Sequence, residues 1–418
     1  MKKQLLKYRY EIILILTGIV WLTFLNELIQ INNQNNICND CDNYRESAYY
    51  LYHHFKSHYF RPIGMAIITG FPYLFNASDY TIYKFSLILN VLSWIGTSLL
   101  LFTLLKKYVT NKKAFFFTLA YLSILGSIFI IFNLLTETIF TFLIIVSFYF
   151  LKKYHKNKAF LFLSLSISIF LFTILIKPSI KFFAIIVFLY FGKTILKNYK
   201  NRSIVFIYLS LLLIAFQYIK MKKDYGNYTL TYIDSVTYYN YLGSKAMCYK
   251  TNDIFSQETN NRAKFLEQFS YPEQRNIATK DFLSQLNDNK FNLLKSYISN
   301  LLENMKTPSS SCFYWKNLNH KDYFEKLKTT VNFITKYQNR ILSVLGFFLS
   351  IFYILKSYKT DKFLFFISCY ILYTITISGV SCSQGDRFHI VFYPFVIILF
   401  AKFYTDLKTK PFILKNHK

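Results

Sequence analysis

Residues 12–25 read IILILTGIVWLTFL, and residues 38–44 follow them as CNDCDNY. Continued to residue 31, the first stretch provides the roughly 20 mainly apolar residues that a helix needs to cross a bilayer core. Lys7 and Arg9 stand before it and no small-x-small cleavage site follows, which predicts an uncleaved membrane helix rather than a removed signal peptide. Because basic residues favour the cytoplasmic side, we expect residues 38–44 at the outer face.

The rest of the chain repeats this apolar pattern. Of its 418 residues, 53% are hydrophobic and 20% aromatic, a composition outside that of soluble globular proteins. Short basic connectors separate the apolar windows, which together predict an all-α membrane protein, a polytopic bundle of about ten transmembrane helices. The expected helices cover roughly residues 12–31, 83–105, 114–132, 139–151, 160–176, a sixth ending near 196, 204–219, 341–355, 363–379 and 392–404.

Polarity divides the chain into three parts. Residues 1–219 are predicted to form an N-terminal transmembrane region of about seven helices, with a catalytic first outer loop at 32–82. Within that loop, residues 62–75 are apolar but too short to span, which suits an interfacial or re-entrant helix. Residues 220–336 hold eleven of the 21 acidic residues and show apolar side chains at helical spacing, so we expect a mostly helical extracytoplasmic domain. Residues 337–418 add about three helices and a cytoplasmic tail.

The formal net charge of +28 does not indicate a nucleic-acid partner. The lysines lie mostly in the connectors expected inside, and 18 of the 21 acidic residues fall in parts expected outside. No G-x-G-x-x-G or P-loop sequence occurs, so direct use of a cytoplasmic nucleotide-activated donor is not expected. We therefore predict a multi-pass protein of the bacterial inner membrane with its active site on the extracytoplasmic side.

Charged residues from distant parts of the sequence are expected at the outer membrane boundary. A charge at membrane depth costs about 2.5–3.5 kcal/mol on insertion scales, so charges retained there are candidates for function. Together they predict a polar, mixed-charge pocket at the mouth of the bundle, suited to the head group of a lipid-borne substrate. The residues expected to meet there are Asp40, Asp42, Glu137, Lys177, Lys181, Asp386, Arg387 and His389.

Six cysteines are too few for a disulfide scaffold. Five fall on the expected outer side, where a bridge between Cys248 and Cys312 is chemically feasible. Cys38 and Cys41 have the spacing of half a zinc site or of a redox motif, but no second such pair follows. The carboxylates beside them, Asp40 and Asp42, indicate a functional site more strongly than the cysteines do.

Asp40, Tyr44, Ala48 and Leu51 lie at spacings of four, four and three, along one face of a helix, and Arg61-Pro62-Ile63-Gly64 follows. This order resembles the first outer loop of the GT-C superfamily of polyprenyl-phosphate-sugar-dependent glycosyltransferases, which includes aminoarabinose transferases of lipid A and protein O-mannosyltransferases. Thr136-Glu137, Lys177-Pro178 and Asp386-Arg387-Phe388-His389 with Pro394 resemble the later landmarks of the superfamily. The likeness covers roughly residues 10–220 and 340–405.

The chain departs from the superfamily's pattern at two positions. Ile63 replaces the usual second proline of an Arg-Pro-Pro-Gly run, which affects the shape of the loop. Phe388 replaces a frequent tyrosine after the arginine, which removes a phenol from the site. The spacing to Tyr44 favours Asp40 as the match to the superfamily's catalytic aspartate, with Asp42 as the close alternative.

The resemblance implies transfer of a sugar from a polyprenyl-phosphate carrier to lipid A, a polysaccharide or a protein. Such a reaction needs a carboxylate to take the acceptor's proton and cations to stabilise the leaving phosphate. The catalytic candidates are Asp40 and Asp42. The candidates for substrate binding are Tyr44, Arg61, Glu137, Lys177, Lys181, Arg387 and His389. The sequence assigns no metal ligands and leaves open whether the reaction requires a divalent metal. The expected partners are the lipid-linked sugar, membrane lipids and the acceptor.

Two other functions remain alternatives. A polysaccharide polymerase or ligase also has about ten helices and one large outer loop, but tends to rely on arginines and histidines within that loop. A lipid-linked sugar flippase or transporter would predict internal repeats and broken helices in matching halves, and neither is evident in the sequence.

Overall fold

The apolar windows form helices because a helix satisfies its own backbone hydrogen bonds where no water is present to do so. The computed structural model describes residues 8–29, 38–312, 315–318, 320–382 and 384–409, and no β-strand occurs among them. The expected end of the first helix at residue 31, part of the first outer loop (32–37) and the tail at 410–418 lie outside the described residues.

The α-helices of the described residues follow one another from the N-terminal span to the last span. In chain order they are α1 (Arg9–Ile29), α2 (Asn39–His54), α3 (Ile63–Thr69), α4 (Asp79–Leu105), α5 (Asn111–Leu122), α6 (Leu125–Phe129), α7 (Glu137–Asn157), α8 (Phe160–Ile174), α9 (Lys181–Tyr190), α10 (Gly192–Lys197), α11 (Val205–Tyr225), α12 (Ile233–Thr237), α13 (Ser244–Thr251), α14 (Asn261–Leu266), α15 (Tyr271–Asp288), α16 (Lys290–Lys306), α17 (Phe324–Ser357), α18 (Lys362–Ser378), α19 (Arg387–Ile390) and α20 (Tyr393–Thr409).

Length and composition identify four candidate membrane spans among the described residues. These are Arg9–Ile29, Asp79–Leu105, Arg202–Tyr225 and Phe324–Ser357, and α5 with α6 makes a fifth if that pair, bent by 66°, is one span. Helices of this kind indicate a membrane protein, but they do not confirm the expected ten full-length spans. Several of the other apolar helices are shorter: Phe160–Ile174, Pro178–Tyr190 and Lys362–Ser378.

The helix expected at residues 114–132 is broken after Leu122, and a distant glutamine bridges the break. Gln338 of α17 donates from Nε2 to the carbonyl oxygen of Ser123 (3.0 Å) and accepts the backbone N–H of Leu125 at Oε1 (3.0 Å). Backbone groups freed at a helix break need such a partner in an apolar environment. The bend is therefore supported by a contact between segments 215 residues apart in sequence, which local periodicity does not reveal.

The two ends of the bundle differ in charge. At one end, which we call the lysine end, Lys107 pairs with Asp361 (2.6 Å) and Lys356 with Asp406 (2.7 Å). Asp361 also caps α18 by accepting the backbone N–H of Phe363 at 3.1 Å. α4 ends there and α18 begins there, so the start of α4 and the loop after α18 lie at the opposite end.

The polar segment after α11 forms helices α12–α16 around a small core of its own. That core is lined by Tyr238, Tyr239, Leu242, Ala246, Leu266, Ala278 and Leu293. On the buried face of α16, Asn300 donates to the carbonyl of Gly379 (3.1 Å) and Asn304 to that of Ser378 (2.9 Å). These bonds fix the segment to the end of α18 that lies away from the lysine end.

The disulfide in the structure is not the Cys248–Cys312 bridge that the sequence left open. Cys38 and Cys41 form a disulfide that closes the start of α2. Cys248 and Cys312 are not joined, and Cys312 is fully buried. Each of these two cysteines therefore lies at a separate place in the fold, and the bridge considered above does not form.

Gly64 permits a close contact between α3 and the end of α8. Its backbone N–H donates to the carbonyl of Leu175 at 2.9 Å, and a Cβ atom at this position would lie 2.5 Å from the same oxygen. Arg61 precedes α3 and Lys177 follows α8. The glycine of the Arg61-Pro62-Ile63-Gly64 run thus sets how near these two cations can come.

We predict that Gly64→Ala destabilises the protein by about 1–3 kcal/mol, because overpacking against a backbone oxygen forces the helix ends apart. The apparent melting temperature of the purified protein in detergent should fall. Gly192→Ala is the matched control, since a Cβ atom there meets nothing within 4 Å. A Gly64→Ala protein as stable as the Gly192→Ala protein would contradict this account of the contact.

Candidate functional site

One face of α2 carries the acidic part of the site. Asp40, Tyr44 and Ala48 follow each other at four-residue intervals, so their side chains lie on the same side of the helix. Tyr44 and Ala48 are buried against the bundle, and the Cys38–Cys41 disulfide holds the first turn. Asp40 is thereby directed towards the bundle rather than towards solvent.

The loop before α3 fixes Arg61 opposite Asp40. The buried imidazole of His58 accepts the backbone N–H groups of Phe60 (3.1 Å) and Arg61 (3.2 Å) at Nδ1. The Arg61 guanidinium lies over the Tyr44 ring, 4.5 Å from its centroid, and donates from Nη1 to the Tyr44 hydroxyl at 3.5 Å. From Nη2 it donates to Asp40 Oδ1 at 2.6 Å.

Arg387 connects Asp40 to a second carboxylate. It lies at the start of α19, in the segment that follows α18, and its Nη1 donates to Asp40 Oδ2 at 2.7 Å. Its Nε donates to Oε1 of Glu137, the first residue of α7, at 3.0 Å. The same Oε1 accepts from Lys177 Nζ at 2.9 Å.

These five side chains form a continuous series of alternating charges, which we call the charge chain: Arg61, Asp40, Arg387, Glu137 and Lys177. It contains three cations and two anions, and a cation stands at each end. An excess of positive charge in a partly buried site favours an anionic ligand. The fork of an arginine also matches the oxygen atoms of a phosphate.

The charge chain controls ionisation at Asp40. Burial disfavours the charged form, but the guanidinium groups of Arg387 and Arg61 outweigh it and hold the pKa of Asp40 well below its usual range. Asp40 is therefore a carboxylate at every physiological pH. In this arrangement it is also a weak base, because both of its oxygens are engaged by cations.

A cavity of about 490 Å³ opens beside the charge chain. The charge chain and Tyr44 line it on one side, and Ile233, Val236 and Tyr241 line it from the polar segment. Apolar side chains complete its walls: Phe60, Ile176, Phe182, Ile377, Val380 and Phe388. The cavity thus combines a charged side with an apolar side, as a site for an amphipathic ligand requires.

The apolar wall continues onto the outer surface of α9. Phe182 lines the cavity and is 54% exposed, and Ile186 (60%) and Leu189 (67%) are exposed further along the same helix. At the start of α9, Lys181 forms an ion pair with Asp234 of α12. The cavity therefore borders both an apolar helix surface and the polar segment.

Most of the candidate residues named from the sequence line this cavity. They are Asp40, Tyr44, Arg61, Glu137, Lys177, Lys181 and Arg387. Asp42 does not: its side chain is 67% exposed and accepts a hydrogen bond from the Tyr83 hydroxyl at 2.7 Å. The structure therefore separates the two aspartates that the sequence left as alternatives and brings only Asp40 to the cavity.

His389 and Asp386 lie on the side of the segment that faces the bundle interior. His389 Nδ1 is within 2.8 Å of the Ser343 hydroxyl and of Asn339 Oδ1, and the residue is fully buried. Asp386 accepts the Ser310 backbone N–H at 3.3 Å, and burial raises its pKa to about 7. Neither residue lines the cavity, so the expected gathering of charges does not include them.

The cavity also contains residues that were not among the site residues expected from the sequence. Tyr241 and Asp234 come from the polar segment, and Thr136 and Gln384 flank members of the charge chain. Thr136 belongs to the Thr136-Glu137 landmark and Gln384 lies two residues before Asp386, so position in or near a landmark could have indicated both residues. Nothing in the local sequence distinguishes Tyr241 among the 36 tyrosines of the chain.

Within the part of the chain that the structure describes, no group of three or more His, Cys, Asp or Glu side chains is placed to hold a metal ion. The carboxylates of Asp40 and Glu137 instead face guanidinium and ammonium groups.

Comparison with known proteins finds no match: no family model, no curated protein and no solved structure matches this chain.

Proposed function

We propose that this protein is an integral membrane glycosyltransferase that moves a sugar from a polyprenyl-phosphate carrier to an extracytoplasmic acceptor, as the GT-C superfamily it resembles does. The observation that carries the proposal is one cavity in which a carboxylate, Asp40, and three cations, Arg61, Lys177 and Arg387, stand beside an apolar wall. The charged side suits a phosphate, and the apolar wall suits the first units of a prenyl chain.

The reaction assigns a separate task to each charge. The acceptor's oxygen or nitrogen attacks the anomeric carbon of the sugar, and its proton passes to the Asp40 carboxylate. The bond between the anomeric carbon and the phosphate oxygen breaks, and its electron pair stays with the phosphate. The leaving group becomes a polyprenyl phosphate, whose added charge is stabilised by Arg61, Arg387 and Lys177.

Glu137 has a supporting task in this scheme. Its side chain is 1% exposed and accepts from both Arg387 and Lys177 through one oxygen. A carboxylate so enclosed is poorly placed to reach an acceptor. It holds the two cations at the separation that the phosphate needs.

The proposal includes ten membrane crossings, with the lysine end in the cytoplasm and the charge chain on the outer side. The short apolar helices cross together with their neighbours, and the segment α12–α16 covers the cavity where the acceptor arrives. The crossings are α1, α4, α5 with α6, α7, α8, α9 with α10, α11, α17, α18 and α20. The lysine-rich connectors support this orientation.

We predict that Asp40→Asn lowers the rate of sugar transfer in membranes by about 10²–10⁴-fold, the usual contribution of a general base. Asp42→Asn is the matched control: it lies two residues away but outside the cavity, and it should keep transfer close to the wild-type rate. The assay follows label from a polyprenyl-phosphate sugar into extracted glycan or lipid, using membranes from the expressing strain and its parent. Full transfer by a folded Asp40→Asn protein would remove Asp40 as the base.

The proposed orientation in the membrane can be tested separately. In a protein with Cys248 replaced by serine, Ile254→Cys should react with a membrane-impermeant maleimide in intact cells, because Ile254 is 96% exposed on the polar segment. Lys112→Cys, an exposed residue at the lysine end, should react only after the membrane is permeabilised. The reverse pattern would place the charge chain in the cytoplasm and exclude the proposed topology.

A further inference from the structure

Asp40 occupies the place in which an anionic ligand would be bound. Each of its two oxygens accepts from a different arginine, Oδ1 from Arg61 Nη2 at 2.6 Å and Oδ2 from Arg387 Nη1 at 2.7 Å. Two arginines converging on two oxygens of one anion is also the arrangement that binds a phosphate. The carboxylate and a donor phosphate therefore compete for the same N–H groups.

Both arginines keep a second contact that does not involve Asp40. Arg387 is held through Nε by Glu137 at 3.0 Å. Arg61 stacks on the Tyr44 ring and donates to its hydroxyl from Nη1. If Asp40 withdraws, the two guanidinium groups stay in position, with the edges that faced Asp40 available to another anion.

The two carboxylates of the charge chain differ in their freedom to withdraw. The Glu137 side chain is 1% exposed, whereas the Asp40 side chain is 32% exposed and borders the cavity. Displacing Glu137 would leave its carboxylate buried without a cationic partner, which is costly. Displacing Asp40 moves a carboxylate towards open space.

We propose that Asp40 is an internal substitute for the donor's phosphate, and that arrival of a prenyl phosphodiester displaces it from Arg61 and Arg387 and so converts it into an active base. The inference rests on the proposed function and adds an order of events to it. Before the donor binds, the base is masked, so an acceptor hydroxyl or water cannot be activated in the empty site. After the phosphodiester takes the two arginines, Asp40 has lost the cations that depress its basicity.

The test compares the binding of one probe to four proteins. The probe is the methyl phosphodiester of farnesol, which carries one negative charge throughout the working pH range and a short prenyl chain. Its affinity is measured by calorimetry with the full-length protein in detergent. Asp40→Asn should bind it at least about tenfold tighter than wild type, because the competing carboxylate is gone.

Two matched variants separate displacement from a general change in charge. Glu137→Gln removes the same unit of negative charge from the same charge chain, but it also removes the anchor of Arg387, so its affinity should equal that of wild type or be lower. Asp42→Asn should leave the affinity unchanged. Asp40→Ser repeats the measurement if Asp40→Asn is unstable, and melting temperatures check that each protein is folded.

The outcomes distinguish this inference from the proposed function. An Asp40→Asn protein that binds no tighter than wild type overturns the displacement, even if transfer is lost and the base role stands. Equal tightening by Glu137→Gln also overturns it, because electrostatics alone would then suffice. Tighter binding by Asp40→Asn with transfer intact supports the displacement of Asp40 by a phosphodiester but overturns its conversion into the active base.

Discussion

The site depends on one guanidinium that two carboxylates share. Arg387 reaches Asp40 through Nη1 and Glu137 through Nε, so it joins α2 to α7 across the end of the bundle. Burying these carboxylates without a cation between them would cost several kcal/mol for each. Neither Lys177 nor Arg61 replaces Arg387, because each contacts only one of the two acids. The geometry of the cavity therefore depends on where the segment after α18 holds Arg387.

The surrounding structure restricts several parts of the charge chain, each by a different means. A disulfide closes the turn that carries Asp40, an imidazole orients the backbone at Arg61, and Gly64 lets α3 approach the end of α8. α16 bonds through Asn300 and Asn304 to the backbone at the end of α18. The polar segment thus contributes to the position of Arg387 as well as to the wall of the cavity.

Simple rules predicted much of the charge chain from sequence. Helical spacing placed Asp40 and Tyr44 on one face, and the cost of charge in a membrane selected Glu137, Lys177 and Arg387. The cost of charge also selected Asp42 and His389, which do not line the cavity, and a single reason explains both. Each stands two residues after a member of the charge chain, and two positions turn a helix by roughly 200°, so the side chain points away. The cost of charge says which residues are candidates but not which way they face.

Because Asp40 belongs to the chain, it never diffuses out of reach of the arginines. If the proposed displacement occurs, Asp40 acts as an intramolecular competitor whose effective concentration stays constant, and it weakens the binding of every phosphate by a similar factor. In the proposed reaction these phosphates include the spent carrier, which bears more charge than the donor and would otherwise leave slowly. The bridging carboxylate would thus give up some affinity in exchange for faster turnover.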